Sequence, residues 1–161
     1  MIEFIESYFA GINKDLAVFI VSLFPVIELR GAIPYGIGML GMNWLRVALL
    51  SIVGNMLPVP FLILLIRPIV EWFMRSKYLS GVGRWLDERT RKKSESVTRY
   101  KKLGLLIFVA IPLPGTGAWS GAMVAGLLNM RLKDALPAIF GGVLVAAAIV
   151  TAATCGVKLA L

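Results

Sequence analysis

The stretch Glu28-Leu-Arg-Gly-Ala-Ile-Pro-Tyr-Gly-Ile-Gly38 decides how this chain folds, because it places a carboxylate, a guanidinium and two kinds of helix breaker inside an apolar region. Its flanks, at 16–27 and 31–45, carry no charge. Each flank is shorter than the about 20 apolar residues that cross a bilayer, and runs of roughly 10–14 are more typical of re-entrant segments. We therefore predict a re-entrant hairpin over 16–42, with two half-helices joined by a loop over 28–34.

The composition predicts an integral membrane protein. Of 161 residues, 58% are hydrophobic and 16% are charged, and the mean hydropathy is +0.83, which no soluble domain of this size needs. Uncharged runs at 47–66, 103–130 and 135–157 are long enough to cross the hydrocarbon core or to enter and leave it. The acidic start of the chain argues against a cleavable signal peptide. We expect a multi-pass protein of the inner cell membrane.

The residue types that are missing restrict the chemistry. The chain has no histidine and a single cysteine, Cys155, which we expect to be a small packing residue. Without histidine, proton chemistry falls to carboxylates. No catalytic triad, metal cluster or phosphate-binding loop can be recognised, so we expect no enzyme, no metal and no cofactor.

The positive charge is concentrated between Arg75 and Lys102. This segment holds ten basic and three acidic residues, so it carries +7 of the net charge of +8. A basic loop between membrane segments is typical of the cytoplasmic side, and its nearest partners are anionic membrane lipids rather than nucleic acid.

These observations predict one all-α membrane domain over 1–161, built as an inverted repeat of a re-entrant helical hairpin plus a transmembrane helix. The first repeat, 1–74, begins with an amphipathic helix at 1–15 and ends with a spanning helix at 45–73, kinked at Pro58 and Pro60. A basic cytoplasmic linker at 75–102 contains a surface helix around Trp85. The second repeat, 103–161, has a hairpin at 103–130 broken at 112–117, and then a helix at 134–159.

The repeat is read from an offset of 87 residues, at which Pro25 meets Pro112, Gly54 meets Gly141 and Arg46 meets Lys133. Re-entry of 103–130 keeps Arg131 on the cytoplasmic side, where basic residues are favoured. Each half then contributes a hairpin and a spanning helix in opposite orientation, as in many transporters. The alternative is four ordinary spanning helices in two parallel pairs.

Ionisable residues inside a membrane segment indicate a functional site, since their burial is costly. We expect Glu28 to carry a coupling proton and Arg30 to bind an anionic group; the alternative is an ion pair that only fixes the hairpin. Glycines and prolines at both breaks let helix ends approach a ligand. The candidate substrate- or ion-binding residues are Glu28, Arg30, Gly31, Pro34, Pro112, Pro114, Gly115, Thr116, Trp119 and Ser120.

Two further patterns predict contacts between helices. Asn55, four residues after Ser51, interrupts an apolar helix and either lines a path or bonds to another helix. Small residues at Ala138, Gly142 and Ala146, and again at Ala148 and Ala152, form faces for close helix contact, which favours tight packing or a homodimer.

Two motifs carry a family resemblance. Glu28-Leu-Arg-Gly-Ala-Ile-Pro-Tyr-Gly-Ile-Gly38 and Ile111-Pro-Leu-Pro-Gly-Thr-Gly-Ala-Trp-Ser-Gly-Ala122 resemble the two signatures of the putative small multidrug export family. More distantly, Arg99-Tyr-Lys-Lys-Leu-Gly104 and Ala125-Gly-Leu-Leu-Asn-Met130 are similar to parts of the DedA (VTT-type) membrane proteins. This resemblance implies an inner-membrane protein with two facing re-entrant hairpins. The arginines that DedA proteins carry in the second hairpin are absent here.

Three functions follow from these patterns. The first is proton-coupled export or translocation of a small amphipathic, anionic or lipid-like substrate. The second, favoured by Arg30 and by the DedA resemblance, is a flippase for a polyprenyl phosphate such as undecaprenyl phosphate. The third is a membrane scaffold or assembly factor in which the hairpins are structural.

Overall fold

The structure is a computed structural model, described here for residues 13–75, 95–113 and 115–160. The surface helix expected around Trp85 and nearly all of the amphipathic helix expected at 1–15 lie outside these residues. So does Pro114. Of the predicted linker at 75–102, the structure describes residues 75 and 95–102, which lie in helices, and the cytoplasmic linker stays a prediction.

All regular secondary structure in the described residues is helical. The helices are α1 (Lys14–Leu23), α2 (Glu28–Pro34) with a π-helical continuation (Tyr35–Met39), α3 (Trp44–Met56), α4 (Val59–Arg75), α5 (Glu95–Ala110), α6 (Ala118–Leu127) and α7 (Leu132–Ala160). The predicted all-α architecture is confirmed.

The first break lies earlier than predicted. Residues 28–34 form α2, so the loop predicted there is wrong, and the chain turns between Leu23 and Glu28 instead. The reason is Pro25: the residue before a proline is held in extended conformation, and Phe24 has φ −72° and ψ 132°. Pro34 does not break the chain, because the helix widens there into the π turn, where the Leu40 amide bonds to the Tyr35 carbonyl at 3.1 Å.

The second break lies where the sequence places it. Helix α5 ends at Ala110 and α6 begins at Ala118. Pro112 stands just beyond the end of α5, where a proline cannot continue the helix. Gly115 takes φ +88°, a left-handed conformation that glycine adopts without steric cost.

An ion pair connects the elements on either side of each broken segment. In the first half, Asp15 at the start of α1 is ion-paired with Arg46 at the start of α3. In the second half, Lys102 in α5 lies 2.7 Å from Asp134 at the start of α7. Each broken segment is therefore flanked by residues that contact each other.

Two long apolar stretches, Trp44–Ile66 and Leu132–Ala160, are long and apolar enough to cross a membrane. The first comprises α3 and the start of α4, with a turn at 57–58 where a kink is predicted at Pro58. The second is α7, and it confirms the helix predicted at 134–159.

The small-residue face of α7 is used within the chain. Ala138, Gly142 and Ala146 are buried, and a Cβ on Gly142 would lie 2.7 Å from the Leu106 carbonyl oxygen of α5. This confirms tight packing at this face. Ala148 and Ala152 are exposed, and the homodimer stays a prediction.

Candidate functional site

Glu28 begins α2 at the first break and is almost fully buried, with 4% of its surface exposed. Its backbone takes φ +50°, which is uncommon for a residue with a side chain. Its carboxylate accepts a hydrogen bond at 2.8 Å from Nη1 of Arg30 and one at 3.3 Å from the backbone N–H of Trp119. The first break thus presents its acidic group to the second.

Arg30 also contacts the second break, through its other terminal nitrogen, Nη2. Nη2 donates to the carbonyl oxygens of Thr116, of Ile111 at 3.0 Å and of Val109 at 3.4 Å. It also lies 3.3 Å from Oγ1 of Thr116. A planar guanidinium with five donors suits such a cluster of acceptors, which a lysine ammonium would not match.

Gly117 makes room for this contact. A Cβ at this position would overlap the carboxylate of Glu28. We call the group formed by Glu28, Arg30, Thr116, Gly117 and Trp119 the joint, since it connects the two breaks.

The joint matches the polarity of the helix ends that it touches. Glu28 sits at the N-terminus of α6, where backbone N–H groups lack intrahelical partners and the helix dipole favours negative charge. Arg30 sits beyond the C-terminus of α5, where carbonyl groups lack partners and positive charge is favoured. One ion pair of the first half therefore contacts both helix ends at the break of the second half.

Two buried donors at the joint have no hydrogen-bond partner among the described residues. These are Nε of Arg30 and the indole nitrogen of Trp119. An unpaired buried donor is costly, so each is a place where a water or a ligand oxygen would be stabilising.

Three of the predicted site residues also make contacts within their own broken segment. Ser120 caps the start of α6, accepting from the Gly117 amide at 2.7 Å. Thr116 donates through Oγ1 to the carbonyls of Ile111 at 2.6 Å and Leu113 at 2.9 Å, and so closes the turn. Gly31 packs on Ile27, where a Cβ would overlap the side chain. These contacts shape the two breaks, and a ligand contact of these residues stays a prediction.

Pro34 and Pro112 line a groove rather than the joint. Gly38 and the C-terminal part of α7 form the rest of its lining. Sequence reasoning found the two prolines but not the α7 residues, because no motif marks them.

Asn55 and Ser51 are fully buried in α3, and their side-chain polar atoms have no hydrogen-bond partner among the described residues. The interhelical bond predicted for Asn55 is therefore not formed there. These groups form a second set of buried polar atoms.

Fold and site together define an all-helical membrane protein whose two broken apolar segments meet through a buried ion pair. Residues 28–149 match the family described as "Putative small multi-drug export protein". The chain belongs to this family. The matched range begins at Glu28, directly after the first break, and includes the second break and the whole joint. Neither the curated proteins nor the solved structures compared with this chain give a match, and the more distant DedA resemblance stays a prediction.

Proposed function

We propose that this protein is a transporter that exports or translocates a small amphipathic or lipid-like substrate, with the joint as its coupling site. The family description names export. The observation that carries the proposal is the joint itself: a buried carboxylate and guanidinium connect the two breaks, and ionisable groups inside membrane proteins typically mark ion or substrate pathways.

The proposed topology is an inverted repeat of re-entrant hairpins. Its support is that an ion pair connects residues on either side of each broken segment, Asp15 with Arg46 in one half and Lys102 with Asp134 in the other. Further support comes from the end of α7, where Nζ of Lys158 lies 3.4 Å from the Ile37 carbonyl near the end of the first hairpin. Helix α7 thus runs from the base of one hairpin toward the base of the other.

The proposed coupling step is protonation of Glu28. A neutral carboxyl group forms weaker hydrogen bonds to Arg30 and to the Trp119 amide than a carboxylate does. Proton uptake therefore loosens the attachment of α2 to α6, and proton release restores it. In the absence of histidine, a carboxylate is the group available for this role.

A scaffold function is favoured by one observation. The charged atoms of the joint bond mainly to the chain's own helix ends, as a purely structural ion pair would. The two unpartnered donors, Arg30 Nε and Trp119 Nε1, argue against the scaffold function, because an ion pair with only a structural role does not need them. Among the described residues, no contact at the joint favours a polyprenyl-phosphate flippase over export of other amphiphiles.

The test is transport by purified protein in liposomes with an imposed pH gradient, using an amphipathic cationic dye and a polyprenyl phosphate as separate substrates. We expect Glu28→Gln to abolish dependence on the pH gradient while the protein stays folded and inserted. Ser51→Ala serves as a matched substitution of a buried polar residue outside the joint. Gradient-driven transport that survives in Glu28→Gln would reject the proton role, and transport of neither substrate by the unaltered protein would favour the scaffold.

The wider setting is proposed on the same grounds. Membrane lipids are the expected partners of the basic segment at 75–102, a homodimer is the expected assembly and the inner membrane is the expected location. No role in catalysis is proposed.

A further inference from the structure

A groove of about 660 Å³ lies between the first hairpin and the C-terminal part of α7. Pro34 and Gly38 form one wall, Pro112 of the second break contributes to the lining, and α7 supplies the rest, including Ile149, Val157 and Lys158. Its volume is that of a site for one drug-sized ligand. Because Pro112 follows Ile111, whose carbonyl binds Arg30, the groove adjoins the joint.

The walls of the groove are mostly apolar, and the one hydroxyl among the described lining residues, that of Thr154, already has a hydrogen-bond partner. The hydroxyl of Thr154 donates to the carbonyl of Val150 at 2.7 Å in its own helix. A long apolar chain can therefore pack along this lining without leaving a buried polar atom unpaired. A compact hydrophilic solute would find no such match along these walls.

One end of the groove is cationic. Lys158 is the ionisable residue among the described lining residues, and its Nζ lies 3.4 Å from the Ile37 carbonyl. Three residues further on, the Leu40 carbonyl accepts from Nζ of Lys14 at 3.1 Å. Lys14 does not line the groove, so the cationic group available there to an anionic head group is Lys158.

We infer that this groove binds a single-chain anionic amphiphile, with its apolar chain along α7 and its head group at Lys158. The inference deepens the proposed function by naming the substrate class, and it rests on that proposal only in treating the bound molecule as cargo. Binding itself requires no transport, no proton gradient and no movement of the joint.

The experiment measures binding to the full-length protein in nanodiscs of zwitterionic phosphatidylcholine. The probe is a fluorescent undecanoic acid carrying a dansyl group at the end of its chain. We expect saturable binding with one site per chain. Excess dodecanoic acid should displace the probe, whereas dodecylamine and a two-chain anionic phospholipid should not.

Two variants locate the site. Lys158→Glu should weaken binding about tenfold or more, since a charge-assisted contact is lost and a like charge replaces it, and Lys158→Arg should retain it. Gly38→Phe should fill the groove and reduce binding as strongly, because a Cβ at Gly38 meets no atom within 4 Å and the larger side chain has space there. Gly156→Phe is the matched control, since Gly156 on α7 is equally open but does not line the groove.

The outcomes separate this inference from the proposed function. Saturable binding that Lys158→Glu and Gly38→Phe both weaken, in a protein that does not transport, would support the groove and count against the transporter. Transport with no saturable fatty-acid binding would overturn the inference alone. Equal probe uptake by all variants and by empty nanodiscs would mean partition into bulk lipid, and displacement by the two-chain phospholipid would mean an ordinary lipid contact; both overturn it.

Discussion

Gly117 lies against the carboxylate of Glu28 so closely that the position has no room for a Cβ. The two residues are far apart in sequence and belong to different broken segments, yet each fixes the conformation of the other. Glu28 needs the space that glycine leaves, and the break between α5 and α6 needs an acceptor at the start of α6.

Gly117→Ala should therefore disrupt the joint. We expect a loss of stability of about 1–3 kcal/mol, typical of overpacking a filled site, and a lower midpoint of thermal unfolding in detergent. Gly104→Ala on α5 is the matched control, because a Cβ there meets no atom within 4 Å. Equal unfolding midpoints for the two variants would contradict the contact.

Arg30 and Glu28 should show strong energetic coupling. Arg30→Met leaves a buried carboxylate without its partner, a change that typically costs about 3–5 kcal/mol. Adding Glu28→Gln removes the orphaned charge and should recover part of that loss. The measurement is a double-mutant cycle by chemical denaturation in mixed micelles, and strictly additive single effects would show that the pair does not interact.

Arg30→Lys should fail to replace arginine. A single ammonium point charge cannot satisfy the Glu28 carboxylate and the carbonyls of Thr116 and Ile111 in the geometry of a planar fork. We expect reduced thermal stability and reduced transport in the same variant. Lys158→Arg, which keeps the charge at an exposed helix end, serves as the comparison.

The proposed hairpin topology predicts which positions are labelled from each side of the membrane. In a Cys155→Ser background, Asn13→Cys and Asn43→Cys should react with an impermeant maleimide from one side of sealed vesicles. Lys101→Cys and Lys133→Cys should react from the opposite side. Labelling of Asn13→Cys and Asn43→Cys from different faces would mean that the first segment spans the membrane.

Asn55→Leu distinguishes a polar path from a packing site. The amide of Asn55 is fully buried and unpartnered among the described residues, so leucine, an apolar residue with the same branched shape, should leave stability unchanged or raise it. Unchanged transport together with raised stability would assign Asn55 no part in the path. Lost transport with raised stability would place it in the path.

The sequence predicts most of this fold because its strongest signals are local. Proline and glycine mark the second break directly, and the long uncharged run after residue 134 predicts α7. The predicted position of the first break is wrong because the sequence has two prolines near it. Pro25 holds Phe24 in extended conformation, whereas Pro34 is accommodated by a π turn that no local sequence pattern predicts.

The site is predicted in part for the same reason. The sequence shows Glu28 and Arg30 as charges in an apolar stretch. It shows Thr116 and Trp119 as residues with polar groups at the second break. The space left by Gly117 and the main-chain oxygens that Arg30 contacts depend on how the two segments face each other. The role of Lys158 depends on where the far end of α7 lies, which is a property of the assembled helices.

Arg30 binds main-chain oxygens at Val109 and Ile111 rather than their side chains. Every amino acid presents a carbonyl oxygen there, so this contact does not depend on the side chain at either position. The side chain of Val109 is packed in the core, whereas that of Ile111 is 44% exposed. A library randomised at Ile111 should accordingly retain many folded members, whereas one randomised at Val109 or at Arg30 should retain few.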